Sequence, residues 1–321
     1  MPRILFVKTS SLGDVVHHCP AVTDVARRFP GASIDWVVEA PFAEVAGLHP
    51  AVSRVIPVAI RRWRGALAAP GTWREMAAFR RALREARYDR VIDTQGLLKS
   101  AWICAMACGE RHGYDRASAR EPWSSRFYDQ VHAVDTSLHA VERNRLLTGA
   151  ALGYAPEGPV DYGLHVSPAG EASVERYALL LTMTSRDDKL WPEEHWRALG
   201  ARLEALGLAC VLPWGSEEER RRCVRIAAGL GRASVPPRLS LRELARLANA
   251  SACVIGVDTG LSHLAVAMGA PTLGLYCSSD PALTGLRGAG FVRNLGGIGR
   301  APLPDDVAAA AAQALGAAKA A

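Results

Sequence analysis

Short apolar runs alternate with helix-periodic stretches along nearly the whole chain, and this alternation narrows the fold more than any other feature. Residues 3–7, 33–38, 55–58 and 90–93 read as strands, and 14–29, 73–86, 98–108 and 141–152 as helices. Parallel strands need a long crossover, so a strand–helix–strand series predicts a parallel sheet with helices on both faces. Residues 155–172 interrupt the series with Pro156, Gly158, Pro159, Gly163, Pro168 and Gly170, a boundary by composition. The alternation then restarts, with strands at 177–181, 209–212, 253–256 and 272–275 and helices at 193–206, 217–228, 241–248 and 261–268. The expectation is an α/β chain of two domains, 1–160 and 176–321, joined by a linker over 161–175. A cleft between two such halves is a usual place for ligands. The Ala-rich tail at 307–321 reads as a terminal helix, packed on its own half or back on the first.

Several classes are set aside early. The 321 residues suffice for two cores. No segment approaches the roughly 18 uninterrupted apolar residues of a membrane span. The opening MPRILFVKTSS is too short an apolar run for a signal peptide. The seven cysteines are odd in number and lack framework spacing, which reads as reduced thiols in a cytoplasmic protein. Cys104 and Cys108 lie four apart with no second Cys/His pair to complete a zinc pattern, so core packing is the reading there.

The net charge of +6 is unevenly placed. Residues 61–90 hold nine Arg and three acids (Glu75, Glu85, Asp89), a local excess as large as that of the whole chain. From 80 to 87 the pattern is that of a solvated helix face. Arg61, Arg62 and Arg64 around Trp63 are different: guanidinium forks suit phosphate or carboxylate, and the interleaved Trp suits a sugar or a membrane surface. Nucleic acid would also fit the charge, but no helix-turn-helix, finger or RNA-recognition signature accompanies it. Arg outnumbers Lys by 34 to four. Three of the lysines (Lys8, Lys99, Lys189) stand beside Gly, Asp or Ser/Thr clusters, where a compact ammonium differs physically from a guanidinium.

No Walker A loop or G-x-S-x-G elbow is present, and Gly229-Leu230-Gly231 follows a helix instead of a strand. The first βα turn, Lys8-Thr9-Ser10-Ser11-Leu12-Gly13-Asp14, sits where α/β sheets place their sites. Asp14 there is either a general base or the far half of a capping box begun by Ser11. Residues 184–196, after the first strand of the second half, offer Thr184, Ser185 and Lys189 to phosphate oxygens, while Pro192, Glu193 and Glu194 read as ordinary helix initiation. In Gly256-Val257-Asp258-Thr259-Gly260-Leu261-Ser262-His263 a strand runs directly into a helix whose free amides suit a pyrophosphate. Asp258 suits a hydroxyl, and His263 is either a ligand contact or a satisfied core group. Glu217, after Pro213-Trp214-Gly215-Ser216, either caps a helix or binds ribose hydroxyls.

Together the segments KTSSLGDVVHHCPAVTD, VIPVAIRRWR, YDRVIDTQGLLKSA, GYDRASARE, HAVERNR, TSRDDKLWPEEHWR, LPWGSEEE and GVDTGLSHLAVAMGAPTLGLY resemble the lipopolysaccharide heptosyltransferases over most of the chain. These are ADP-heptose glycosyltransferases of GT-B architecture, and the first turn resembles the branch that adds the first heptose. The resemblance implies two Rossmann-like domains with parallel sheets facing a central cleft, the acceptor on the first and the nucleotide sugar mainly on the second. It implies inverting transfer of L-glycero-D-manno-heptose from ADP-heptose to the Kdo of di-Kdo lipid A, peripherally at the cytoplasmic face of the inner membrane.

Carried over residue by residue, the general base is Asp14. The donor contacts are Thr184, Ser185, Lys189, Glu217, Asp258, Thr259, Gly260, Leu261 and His263. The acceptor's phosphates and carboxylates fall to Arg61, Arg62, Arg64 and Arg120. Lys8, Ser11, Gly13 and Lys99 lie in matching motifs. Two departures stand out: Thr184-Ser185 where a Thr-Thr pair is common, and Tyr276-Cys277 where Tyr-Gly is usual, which narrows the nucleotide pocket. Inverting transfer needs one base at the acceptor hydroxyl and positive charge at the departing ADP. Asp14 supplies the first, and Lys189 with the helix amides at Gly260 supplies the second. No D-x-D pair stands beside the donor turns, since Asp187 and Asp188 are adjacent, so neither a metal nor a cofactor is expected. Two rivals remain at this point: a transferase of the same class with another acceptor, such as the second-heptose branch, and a non-catalytic nucleotide- or nucleic-acid-binding protein.

Overall fold

Parallel pairing organises both halves. In the first, β1 (Arg3–Val7), β2 (Ser33–Glu39), β3 (Val52–Val58), β4 (Arg87–Asp93), β5 (Cys108–Tyr114) and β6 (Gln130–His132) form one sheet in the order β3-β2-β1-β4-β5-β6. In the second, β7 (Tyr177–Leu181), β8 (Ala209–Val211), β9 (Ala233–Ser234), β10 (Cys253–Val257), β11 (Thr272–Tyr276) and β12 (Val292–Gly296) run β12-β11-β10-β7-β8-β9. Counted within its own half, each sheet has the 3-2-1-4-5-6 order of a doubly wound Rossmann fold. Every named strand pair is parallel. The structure, a computed structural model, describes residues 1–167 and 175–320, with side chains through 317. It divides into units Met1–Leu164 and His165–Ala321. Of the expected linker over 161–175, residues 168–174 lie outside the described residues.

The central strands are apolar without alternation because both faces are covered. In the first unit Leu5, Val7, Val37 and Val91 pack against Trp63, Phe79, Leu83 and Ile103 on one face. On the other face Phe6 and Trp36 meet the His18 ring edge-on at 4.6 and 4.9 Å. The helices Leu12–Arg28 and Ala140–Leu152 cover this side and pack on each other. In the second unit Leu180, Ile255 and Leu273 join Trp191, Trp196 and Leu203, while Leu179, Leu181 and Val254 face Ala248 and Ala265. The terminal helix Pro304–Ala320 places Val307, Ala311 and Leu315 in the core of its own unit. The Trp191 indole donates to the Pro302 carbonyl at 2.9 Å just ahead of that helix.

Four strands escape the sequence pattern: β5, β6, β9 and β12. β5 is CGERHGY, in which an apolar run is absent and two glycines serve close contacts. A Cβ on Gly109 would stand 2.5 Å from the Tyr88 carbonyl, and one on Gly113 2.2 Å from the Tyr128 ring. β9 has two residues, and β12 is largely exposed as an edge strand. The expected helix over 98–108 ends at Met106, leaving Cys108 to open β5. The Arg61–Arg64 cluster sits on a short helix, Ile60–Gly65, that the periodicity does not reveal.

One buried ion pair fastens the two helices under the first sheet. Arg145 Nε and Nη2 donate to the two carboxylate oxygens of Asp24 at 2.7 and 3.1 Å, with both side chains at most 10% exposed. Removing the acid leaves a buried guanidinium without its counter-charge. Asp24→Ala is therefore expected to destabilise the protein by about 3–5 kcal/mol in denaturant titrations. A loss under about 1 kcal/mol, the range of an exposed pair, would show that water compensates Arg145.

Candidate active site

The strand order reverses beside β1 and β7, and each reversal gathers the turns that the sequence singles out. In the first unit the turns after β1 and β4 meet. Lys8 is 3% exposed; its Nζ donates to the Thr94 carbonyl at 2.8 Å and to Asn144 Oδ1 at 3.3 Å, and stands 3.9 Å from Asp14 Oδ1. Gln95 Oε1 accepts the amides of Thr9 and Ser10 at 3.1 and 3.3 Å. Gln95 is held in turn by Asp93, fully buried at the end of β4, whose Oδ1 accepts the Gln95 amide at 2.7 Å and whose Oδ2 accepts the Tyr128 hydroxyl at 2.7 Å. Lys99 Nζ donates to Ser10 Oγ at 2.9 Å.

Asp14 takes the capping role left open for it and faces two cations as well. Ser11 is the N-cap of the Leu12–Arg28 helix, and Asp14 Oδ2 accepts its amide at 3.0 Å. Asp14 Oδ1 also accepts from Arg120 Nη2 at 2.8 Å. Burial works against the Asp14 charge, but Lys8, Arg120 and the Ser11 amide outweigh it and hold the carboxyl below its ordinary pKa. Burial lowers the Lys8 pKa to about 8, with Asp14 pulling the other way. Gly13, buried in the first turn of the helix, adds no side chain beside Asp14.

Polar atoms without partners surround this turn: Thr9 Oγ1, Gln95 Nε2 and Glu39 Oε1 are all buried, and find no hydrogen bond among the described residues. Buried polar atoms are costly to leave unpaired, so these three favour a polar neighbour at the turn. Lys8, Gln95, Tyr114, Arg120, Arg143 and Asn144 line a small recess beside them. The arginine cluster divides. Glu75 takes Arg62 in two bonds of 2.9 and 2.6 Å and accepts the Trp63 indole at 2.8 Å. Arg61 and Arg64 are exposed on the same helix.

In the second unit the turns after β7, β10 and β11 converge on Asp258. Its carbonyl accepts Thr184 Oγ1 at 2.9 Å, and its Oδ2 accepts Lys189 Nζ at 2.5 Å and Ser279 Oγ at 2.7 Å. Thr259 is the N-cap of the Gly260–Ala267 helix and makes no side-chain cap bond, so its hydroxyl does not cover the first amides of this helix. His263 is 5% exposed one turn along. A Cβ on Gly256 would stand 2.3 Å from Ser262 Oγ, so glycine is what lets the helix start this close to the strand. Ser185 is exposed beside Thr184.

Most of the residues singled out are therefore brought together. Lys8, Ser11, Asp14, Lys99 and Arg120 surround one turn; Thr184, Lys189 and Asp258 surround the other. Glu217 is exposed and paired with Arg220 at 3.0 Å, and the capping role open to it belongs to Glu219, which accepts the Ser216 amide. Sequence reasoning misses Gln95, Glu39, Asn144 and Ser279. For Gln95 a signal existed, since Thr94-Gln95-Gly96 directly follows a strand. Among the described residues no three His, Cys, Asp or Glu side chains gather as a metal site.

Residues 76–301 match the model of glycosyltransferase family 9 (heptosyltransferase). Lipopolysaccharide heptosyltransferase 1 of Pseudomonas aeruginosa is 51% identical over 294 residues, 89% of this chain and 81% of that protein. Among solved structures, the E. coli heptosyltransferase WaaC with ADP superposes at a TM-score of 0.91 with 42% identity, covering 97% of this chain and 99% of that one. WaaC with ADP-2-deoxy-2-fluoro heptose superposes at 0.86, again with 42% identity, covering 97% and 98%.

The Lys8 ammonium gives the site a pH signature. As pH rises through about 8 the folded protein releases this proton, and Asp14 loses its buried counter-charge. Turnover is expected to fall along an alkaline limb near pH 8. The unfolded chain keeps the proton up to about 10.5, so this group's contribution to stability rises over that interval and the limb is not unfolding. Paired pH–kcat/KM profiles and melting curves check this; a profile flat through the limb would remove Lys8 from the site's electrostatics.

Proposed function

We propose, from the premise that this chain belongs to glycosyltransferase family 9, the heptosyltransferases, that it moves L-glycero-D-manno-heptose from ADP-heptose to the Kdo of di-Kdo lipid A. The observation that carries the reading is the pairing of two chemistries on two like sheets. One turn holds a carboxylate ionised by a buried cation, and the other presents a cation, hydroxyls and a helix N-terminus.

The acceptor binds the first unit. Its hydroxyl donates to Asp14, which takes the proton as the oxygen attacks the anomeric carbon, and attack opposite the departing group inverts that carbon. Arg61, Arg64 and Arg120 hold the acceptor's phosphates and carboxylates, Arg62 joining them only by giving up Glu75, with Lys8 and Arg143 lining the recess beside Asp14. Arg120 bonds Asp14 now, so an acceptor carboxylate that draws it away strengthens the base. Lys8, too deep to leave, keeps Asp14 ionised and oriented, and Lys99 fixes Ser10 beside it.

The donor binds the second unit. Lys189, Thr184 and Ser185 meet the diphosphate with the amides of Thr259, Gly260 and Leu261, whose helix dipole favours an anion. Asp258, Glu217 and His263 face the sugar and ribose hydroxyls. Lys189 and the amides neutralise the departing ADP, so the reading needs no metal or other cofactor. Among the described residues no helix is long and apolar enough to cross a membrane. With a lipid acceptor, the place of work is peripheral, on the cytoplasmic face of the inner membrane.

Acceptor-dependent ADP release from ADP-heptose and di-Kdo lipid A tests the reading. Release only with already heptosylated lipid A would move the chain to the second-heptose reaction. Asp14→Ala is expected to lower kcat by about 10²–10⁴ while the ADP dissociation constant stays near wild type; comparable loss of both would indicate a folding defect instead of a lost base. Replacing Arg61, Arg62 and Arg64 together with Ala is expected to raise the acceptor KM with donor KM unchanged. An unmoved acceptor KM would return the cluster to solvent.

A further inference from the structure

One cavity of the first unit has none of Lys8, Asp14 or Arg120 in its lining. It is an open groove of about 660 Å³ between the helices Ile60–Gly65, Pro70–Arg84 and Leu98–Met106. Its floor is apolar, built from Trp63, Phe79, Ile103 and Met106. Its rim exposes Leu67, Trp73 and Trp102 by 52, 58 and 52%. The Trp73 indole already donates to the Leu67 carbonyl at 2.9 Å, so the ring offers only its apolar face.

The charged side chains lining the groove are Arg64, Arg80, Arg84 and Lys99, all cations. The nearby acid, Glu75, is taken by Arg62 and Trp63. An apolar floor under a cationic rim fits a molecule with an apolar chain and an anionic head. A second copy of the chain would bring the same positive segment and be repelled, and a bare anion would leave the floor unused. Exposed Trp beside Arg is also the side-chain mixture of a membrane interface.

We propose that this groove seats an acyl chain of an anionic membrane phospholipid, with Arg80 and Arg84 on its head group. Arg80 and Arg84, which the sequence reads as a solvated face, are then the docking cations. Lys99 lines the groove and bonds Ser10, so the docked lipid lies beside the acceptor turn. The inference gives a place to the membrane contact proposed above, and it is read by vesicle binding without donor or acceptor. Its failure therefore leaves the transferase reading standing.

The test uses the full chain with vesicles of phosphatidylcholine, alone or mixed with phosphatidylglycerol, and with a phosphatidylcholine brominated on its acyl chains. Sedimentation with the phosphatidylglycerol vesicles and quenching of Trp fluorescence by the bromines are expected. Arg80→Gln with Arg84→Gln is expected to weaken vesicle binding by roughly tenfold to thirtyfold, at about 1 kcal/mol per cation near an anionic surface. Trp73→Phe with Trp102→Phe is expected to keep binding and lose the rim's share of the quenching, leaving that of Trp63 in the floor. Heat-stabilisation by ADP confirms that each variant is folded. The proposal is overturned by absent binding to phosphatidylglycerol vesicles, by binding indifferent to Arg80 and Arg84, or by quenching that the Trp pair's replacement leaves unchanged.

Discussion

Parallel pairing of β1 with β2 on one side and β4 on the other decides where this chain can do chemistry. Parallel strands point their carboxyl ends to one edge, and crossovers leaving β1 and β4 in opposite directions open a recess between their turns. Thr9 and Gln95 meet there although 86 residues separate them in the chain. The second sheet repeats the order, and its recess brings Thr184 and Lys189 to Asp258. The two halves use one topological device to gather different groups: a carboxylate between two cations in the first, and a cation, hydroxyls and a helix N-terminus in the second.

The electrostatics of the two turns differ because their carboxylates are matched differently. Taking a carboxylate out of water costs several kcal/mol. A cation about 4 Å away returns roughly 4 kcal/mol at an effective dielectric of 20, so Lys8 alone leaves little margin for Asp14. Arg120 and the Ser11 amide supply the rest, and the sum falls on the side of ionisation. Because Arg120 is 44% exposed and Lys8 3%, only Arg120 can exchange Asp14 for an incoming anion. The pair thus divides into a fixed counter-charge and a movable one. At Asp258 the cation and Ser279 bond one oxygen at 2.5 and 2.7 Å. In the proposed donor site an entering diphosphate would compete with Asp258 for Lys189 directly.

Much of the fold was legible because the central strands are buried on both faces and so read as unbroken apolar runs. Residues 3–7 and 177–181 coincide with β1 and β7 residue for residue. β5 and β12 were illegible because their neighbours, not their own hydropathy, make them strands: Gly113 is there to admit Tyr128, and β12 has only β11 to pair with. The site was legible at its turns, where small residues and charges follow a strand. Its connections were not. Arg120 reaches Asp14 across 106 residues and Asn144 reaches Lys8 across 136, and no local pattern encodes such pairs. Glu75 lies 13 residues from Arg62, but only the packing of two short helices shows that it claims that guanidinium.

The scarcity of lysine in a chain with 34 Arg now has a physical account at three of four positions. Lys8 is enclosed by a carbonyl, an amide oxygen and a carboxylate, arranged around a point. A tetrahedral ammonium has three donors for such a set, whereas a planar guanidinium carries five in a fork and would need both more room and more acceptors. Its pKa also falls on burial, which an arginine's would not do in the working range. Lys189 makes a single short bond to one oxygen of Asp258, leaving that carboxylate's other oxygen for a hydroxyl; a bidentate Arg would cover both. Lys99 reaches one hydroxyl, Ser10 Oγ, along a stem that lines an apolar groove. Where the chain needs a surface cation it has Arg; where geometry admits only a compact one it keeps Lys.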